Sequence, residues 1–349
     1  MIGHLAYAVG SPCPTLVLDA RHLPRDRDAL LAALGDARRW MSDAGGDHVL
    51  KVALIEPSKH PLCDLDYRFI QALPGDHGKF DLLGSCGHSV LSAITSAAES
   101  GMVPRLVPGQ RVRVNVLNNG DYLACEVDEV TKESTRFTMH FLQTPPRPVS
   151  AMLLDGSPVT TLEVDGTHVD VSLVSAGNPY VFVGAKGAGV ETADELFADD
   201  SALFDRLGRI RVAAAEHLGM PTDSVFPKIA VTIPGADGNL VVRAISVPSW
   251  HPTLAMTGTA CLGVAAGIEG SIPWQAAQEA GCGDEVISVV TPGGVVEVFA
   301  AMSIQDDERH VAWITVGDKR VDFHGSFFIE PLAHFQFKET SECLSESAA

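Results

Sequence analysis

Basic side chains are scarce in this chain of 349 residues, where 25 lysines and arginines face 44 aspartates and glutamates for a formal net charge of −19. A field of that sign repels phosphate backbones and anionic bilayers, so neither nucleic acid nor membrane is an expected partner. A small anionic ligand stays open, because surface charge is screened within about 10 Å while helix ends and a few buried cations decide such a site. Long apolar runs are lacking too. Gly10, Pro12 and Pro14 interrupt the opening stretch and no lysine or arginine precedes Arg21, which argues against a secretory leader or a spanning helix there and makes the expected location cytoplasmic. Cysteine is sparse: Cys13, Cys63, Cys86, Cys125, Cys261, Cys282 and Cys343 are odd in number and lack paired spacing, which fits reduced thiols rather than a disulfide framework. Neither Cys-x-x-Cys nor His-Glu-x-x-His occurs, and the 13 histidines are scattered. No metal is therefore expected, Cys86-Gly87-His88 alone being a weak ligand signal.

What is present is a duplication. At an offset of roughly 170 to 177 residues, Lys51-Val52-Ala53-Leu54-Ile55-Glu56-Pro57 returns as Lys228-Ile229-Ala230-Val231-Thr232-Ile233-Pro234. Gly10-Ser11-Pro12 answers Gly177-Asn178-Pro179, and Arg68 answers Arg243. Cys86-Gly87-His88-Ser89 answers Thr257-Gly258-Thr259-Ala260, and Val116 to Gly120 answers Val289 to Gly293. A period this long means two similar domains rather than a solenoid, with a cleft between them as the natural place for a site. The expected division is 1–174 and 175–324, with 325–349 packing back on the first domain.

Periodicity predicts helices near Arg25–Ser42, Gly87–Glu99, Ser201–Leu218 and Gly258–Gly267. Strands are expected at Thr15–Leu18, Lys51–Ile55, Tyr67–Leu73, Arg111–Leu117, Tyr122–Val127, Ser134–Phe141 and Val169–Val174, with a break at Pro145, Pro146 and Pro148. The second half repeats the plan with strands at Tyr180–Val183, Ile229–Ile233, Leu240–Ser246, Val286–Val290, Val295–Met302, Val311–Val316 and Phe327–Pro331. Each half is mostly strand with two helices, an α+β pattern. Gly184-Ala185-Lys186-Gly187-Ala188-Gly189 lacks the full dinucleotide spacing and reads as a strand-to-helix turn. The tail from Glu339 to Ala349 is polar and small, and is expected to fray.

The second helix of each half, from Ser89 to Ala98 and from Ala260 to Ala266, is small and uncharged on every face. Such a helix is buried all round, and its start carries unpaired N–H groups into the interior. A glycine sits at each start, where something can approach the backbone. Two such ends facing one cleft would receive an anion, most naturally a carboxylate.

Cys86 stands at the first of these helix starts, where the dipole lowers a thiol pKa; it is either an acid–base group or a small core residue. Lys51 opens an apolar strand, as Lys228 does in the repeat; desolvation there makes an amine a usable base, while an edge strand would let it snorkel. Asn178 is a turn residue or a substrate amide. Arg243 and Arg320 are carboxylate partners or arginines paired to nearby acids.

Leu65-Asp66-Tyr67-Arg68-Phe69-Ile70-Gln71, Gly84-Ser85-Cys86-Gly87-His88, Ser175-Ala176-Gly177-Asn178-Pro179 and Met256-Thr257-Gly258-Thr259 resemble the PrpF family of methylaconitate, methylitaconate and oxalomesaconate isomerases, within the diaminopimelate epimerase and proline racemase superfamily. The resemblance runs over nearly the whole chain. It implies a duplicated epimerase-like α+β fold, each domain a sheet wrapped around a central helix, an active site between them, no cofactor, and a lysine base at Lys51 with Cys86 close by. Racemases of the superfamily use two cysteines, and here the second position is Thr257, which disfavours that scheme. The substrate-binding set expected on the matched motifs is Gly10, Ser11, Ser85, Gly87, His88, Asn178, Thr257, Gly258, Thr259, Gly293 and Gly294, with Arg243 and Arg320.

Departures from the family pattern are concentrated in polar groups. Val9-Gly10-Ser11-Pro12-Cys13-Pro14-Thr15 stands where the family has an arginine and a lysine, His88 replaces an asparagine, Gly293 a serine, and Val49 and Leu50 replace hydroxyls. These losses point to a less charged or differently shaped acid. The expected function is proton transfer along a small unsaturated carboxylic acid; the alternatives are an amino-acid epimerase of the same fold and a non-catalytic carboxylate-binding protein. The expected partner is a small-molecule carboxylate, and the expected assembly a homodimer.

Overall fold

The computed structural model describes residues 1–246, 249–283, 286–305 and 307–335. The first half runs β1 (Ile2–Ala8), β2 (Thr15–Asp19), α1 (Arg27–Asp43), β3 (Lys51–Pro57), β4 (Leu65–Ala72), β5 (Phe80–Asp81), α2 (Gly87–Glu99), β6 (Arg111–Val116), β7 (Tyr122–Val130), β8 (Ser134–Pro148) and β9 (Thr160–Val164). The second runs β10 (Thr167–Ser175), β11 (Pro179–Val183), α3 (Ala185–Ala188), α4 (Ala193–Phe197), α5 (Ser201–His217), β12 (Lys228–Pro234), β13 (Asn239–Ser246), β14 (Ser249–Trp250), α6 (Met256–Ala265), α7 (Ile272–Ala280), β15 (Val286–Thr291), β16 (Gly294–Gln305) and β17 (Glu308–Phe328).

The duplication is visible in the pairing. β2 lies parallel to β3, β3 antiparallel to β4 and β4 parallel to β6, and the same sequence of pairings joins β11, β12, β13 and β15. Even the register repeats, with Leu54 opposite Arg68 in one half and Val231 opposite Arg243 in the other. The halves share their last strands: β17 pairs with β8 and then runs on to pair with β1, Val321 to Phe328 lying against Ile2 to Ala8.

Strands covered on both faces read as continuous apolar runs, and β3 and β12 do so after their lysines. Alternation sends Ala53 and Ile55 into a central core that also holds Val90, Leu91 and Ile94 of α2. Val52 and Leu54 face the other way, onto Leu30 and Leu34 of α1. In β12, Ala230 joins the central core, while Ile229, Val231 and Ile233 meet Leu203, Leu207 and Ile210 of α5. The same parity places Lys51 and Lys228 on the inner side, beside the central helices. α2 packs against β1, β2, β3 and β17, and α6 against β10, β16 and β17. The α+β fold class and the sheet wrapped around a buried helix are both present.

Some expectations need correction. Ile2–Ala8 is a strand, because β17 supplies its ladder from the far end of the chain. Pro145, Pro146 and Pro148 do not end β8; residues 143–146 bulge opposite Ala312, and pairing resumes with Arg147 against Val311. Proline lacks a donor, so it takes the bulge instead of breaking the sheet. Phe327–Pro331 is not a separate strand: β17 ends at Phe328 and Glu330–Leu332 forms a 3₁₀ turn. α6 begins at Met256 rather than Gly258. The Gly184 to Gly189 segment is a strand-to-helix turn around α3, closed by Gly189 at φ +78°. The tail from Glu339 lies outside the described residues. Among the described residues no helix is long and apolar enough to cross a membrane.

Candidate active site

The starts of α2 and α6 meet at a small enclosed cavity. From the first half Lys51, Phe69, Gln71, Ser85 and Cys86 line it, and from the second Asn178, Tyr180, Phe226, Lys228, His251 and Thr257. Its open interior is about 20 Å³, room for roughly one water. No aspartate, glutamate or arginine is among the lining residues, so the cavity's cations are two lysines and its candidate anion the Cys86 sulfur. A larger cleft, about 520 Å³, opens beside α6 and α7, lined by Trp274, Cys282, Met302, Arg309 and Trp313. Burial raises the pKa of its thiol, Cys282, and Arg309 reaches the Gly267 carbonyl. Volume is therefore a poor guide here, and the chemistry sits in the smaller space.

Lys51 is 5% exposed and its Nζ donates to Ser11 Oγ at 2.7 Å. Ser11 Oγ in turn donates to the Cys13 carbonyl at 2.9 Å, which fixes its lone pairs toward the amine. Gly10, at φ +88°, makes the turn that aims Ser11 inward.

Cys86 is the N-cap of α2. Burial by itself would raise its pKa, but the charge of Lys51, contacts with the hydroxyl and amide of Ser89 and the charge of Lys228 outweigh it, and the net shift is downward. Burial raises Cys13, Cys63, Cys125, Cys261 and Cys282 instead, Cys261 to about 12. Cys86 is thus singled out by its surroundings.

Lys228 is half-buried and lines the cavity. Burial and the neighbouring Lys51 charge lower its pKa to about 8. His251 and His88 stack with ring centroids 5.8 Å apart, and burial together with the Lys51 charge holds both well below the usual histidine range, so both are neutral. His251 accepts from the Thr253 amide, whereas among the described residues neither ring nitrogen of His88 has a partner.

Asn178 does not offer a free amide to a ligand. Its Oδ1 accepts from Ser85 N at 3.0 Å, and its Nδ2 donates to Ser85 O at 2.8 Å and to Thr257 Oγ1 at 3.1 Å. It ties the first helix start to the second. The glycines at those starts also admit protein rather than ligand: a Cβ on Gly87 would lie 2.7 Å from Met256 Cβ, and one on Gly258 would lie 2.4 Å from the Tyr180 hydroxyl. Neither Cys86 nor Ala255 caps its helix through a hydrogen bond from its side chain, which leaves first-turn N–H groups available.

Other expected site residues stand elsewhere. Arg243 donates to the carbonyls of Leu196 and Ala198 at the end of α4 and stacks 3.8 Å over the Trp250 ring, on the outer side of β13. Arg320 is half exposed and paired to Asp322 at 3.1 Å. Thr259 bonds back to the Ala255 carbonyl, and His88 does not line the cavity but stacks on His251, which does. Gly10 and Gly293 both pack on Thr253, where a Cβ would come within 2.9 and 2.6 Å of its side chain, and Gly294 opens β16 at φ +122°. Gln71, Tyr180, Phe226 and His251 line the cavity without having been singled out. Gln71 was detectable only as a polar residue ending an apolar strand, and nothing in the pattern around His251 marks it.

The PrpF protein family model matches residues 14–329. The chain belongs to the PrpF family. Relatives of the chain include 3-methylitaconate isomerase of Eubacterium barkeri, 30% identical over 82% of this chain and 87% of its own length. A 4-oxalomesaconate tautomerase of Pseudomonas putida is 27% identical over 77% and 80%, and a 2-methyl-aconitate isomerase of Shewanella oneidensis 24% identical over 74% and 75%. The crystal structure of a methylitaconate-delta-isomerase superposes with a TM-score of 0.66 at 25% identity, covering 95% of this chain and 97% of that one. A hydroxyproline epimerase from Agrobacterium vitis, at 14% identity and TM-score 0.63, shares the fold.

Proposed function

We propose that this PrpF-family isomerase shifts the double bond of a small unsaturated carboxylic acid of the methylitaconate, methylaconitate or oxalomesaconate kind by moving a proton between its carbons. The observation that carries this reading is the meeting of the Lys51 amine and the Cys86 thiol in one enclosed cavity at a helix start. Lys51 takes the allylic proton. First-turn N–H groups of α2 and α6 bear the charge that develops on a carboxylate oxygen, in a site dry enough for such dipoles to act strongly. Lys228 supplies a cation in place of the missing arginine and lysine, and a wall with two lysines and no acid favours a substrate with more than one carboxylate.

Heavy-water NMR with 3-methylitaconate, 2-methylaconitate and 4-oxalomesaconate tests the proposal. Deuterium entry together with a shifted double bond is expected for at least one acid. Stabilisation by these acids without exchange would instead favour a carboxylate-binding protein.

A further inference from the structure

We propose that Lys228 is a second proton carrier of the isomerisation, facing Lys51 across the cavity and exchanging a proton with the carbon that Lys51 does not serve. This rests on the isomerase reading above.

The geometry comes from the duplication. Lys51 and Lys228 each open an inner strand of a half, opposite Thr15 of β2 and Tyr180 of β11 in parallel ladders, and both side chains reach the same cavity. The pseudo-symmetric halves thus deliver two amines to one cavity from different sides, and its interior of about 20 Å³ must widen to admit the acid. Their surroundings differ. Lys51 is held by Ser11, whereas among the described residues Lys228 makes no hydrogen bond or ion pair, its ammonium standing 5.2 Å from the Phe226 ring centroid. An amine so placed is free to reach a ligand carbon. Burial, the largest cause of its lowered pKa, acts whether or not Lys51 carries a charge, and a lowered pKa suits proton transfer near neutrality. Cys86 lies nearer the helix start, where its thiol is engaged with Ser89.

The step balances without any added reagent. Neutral Lys51 removes a proton from the saturated carbon, and the C–H electron pair becomes the new double bond. The old π pair then forms a C–H bond at the far carbon with a proton leaving the Lys228 ammonium. Lys51 ends protonated and Lys228 neutral; water resets both as the product leaves, or the reverse reaction uses them in exchanged roles.

Arginine at this position keeps the charge but gives up no proton at working pH. In Lys228→Arg, isomerisation is expected to fall about 10²- to 10⁴-fold, with KM within a few-fold, while deuterium wash-in at the carbon served by Lys51 persists. Lys228→Gln, read the same way, covers the case where arginine does not fit. Turnover retained within about three-fold in the arginine variant would overturn the proposal, because charge alone would then suffice. So would equal loss of exchange and isomerisation in a variant that melts like the parent protein. If the parent protein shows neither exchange nor isomerisation with any of the acids, the isomerase reading itself fails, and this role with it.

Discussion

Asn178 holds Ser85 from both sides, accepting from its N–H at 3.0 Å and donating to its carbonyl at 2.8 Å. The two residues belong to different halves, so one buried amide sets the position of the Cys86 thiol relative to α6. Asn178→Ala leaves a buried donor and a buried acceptor without partners, at a cost of about 1–3 kcal/mol each. A melting temperature several degrees lower is expected, together with a loss of kcat/KM. Asn178→Asp should do no better, since a carboxylate cannot donate to the Ser85 carbonyl. An unchanged melting curve for Asn178→Ala would show that the tie is dispensable.

Among the described residues Ser11 offers the Lys51 amine its one hydrogen bond, and the Cys13 carbonyl orients that hydroxyl. Ser11→Ala is expected to lower kcat about 10-fold and to cost about 1–3 kcal/mol of stability, because the buried amine loses both its partner and its aim. Lys51→Met removes the base and is expected to abolish both isomerisation and deuterium exchange, a loss of about 10²-fold or more. Steady-state rates and exchange on the same samples check the pair; a Lys51→Met protein that still exchanged would remove Lys51 from the mechanism.

Much of this site was legible because duplication is a one-dimensional signal. The match of Lys51 to Lys228 and of Arg68 to Arg243 reappears as repeated ladder register, and a helix without a polar face could only be central. What each matched residue touches was not legible. Arg243 shares its register with Arg68 but is claimed by carbonyls of α4, an element absent from the first half. Gly87 and Gly258 signalled close approach correctly, yet pattern alone does not distinguish a ligand from Met256 or the Tyr180 hydroxyl. His251 stands before α6 in a stretch without periodicity, and only the fold brings it against His88.

Cys86 is expected to titrate below the ordinary thiol value of 9.0, because the charges of Lys51 and Lys228 and the contacts with Ser89 overcome burial. The difference in ultraviolet thiolate absorbance between the parent protein and Cys86→Ser should therefore be present at pH 9 and disappear as pH falls through the lowered pKa. Lys51→Met removes the largest attractive charge and should move that titration upward. A thiolate signal that emerges only above pH 9 would contradict this account.

Lys228 carries a stability consequence of opposite sign. Its amine has a pKa of about 8 when folded against 10.5 for a free lysine, so folding disfavours the proton. Below pH 8 the protonated amine is present in both states and burdens the folded one; between about 8 and 10.5 the folded state has released its proton while the unfolded state has not, and the burden is progressively lifted. The shift corresponds to about 3 kcal/mol at neutral pH as an upper bound. Lys228→Met is thus expected to raise the melting temperature of the ligand-free protein at pH 7 and to lose that advantage toward pH 10. Polycarboxylate ligand should narrow the gap from the other side, since it stabilises the parent protein more than the variant. Calorimetry at the two pH values decides: a methionine variant less stable than the parent at pH 7 would mean that Lys228 is already satisfied without ligand.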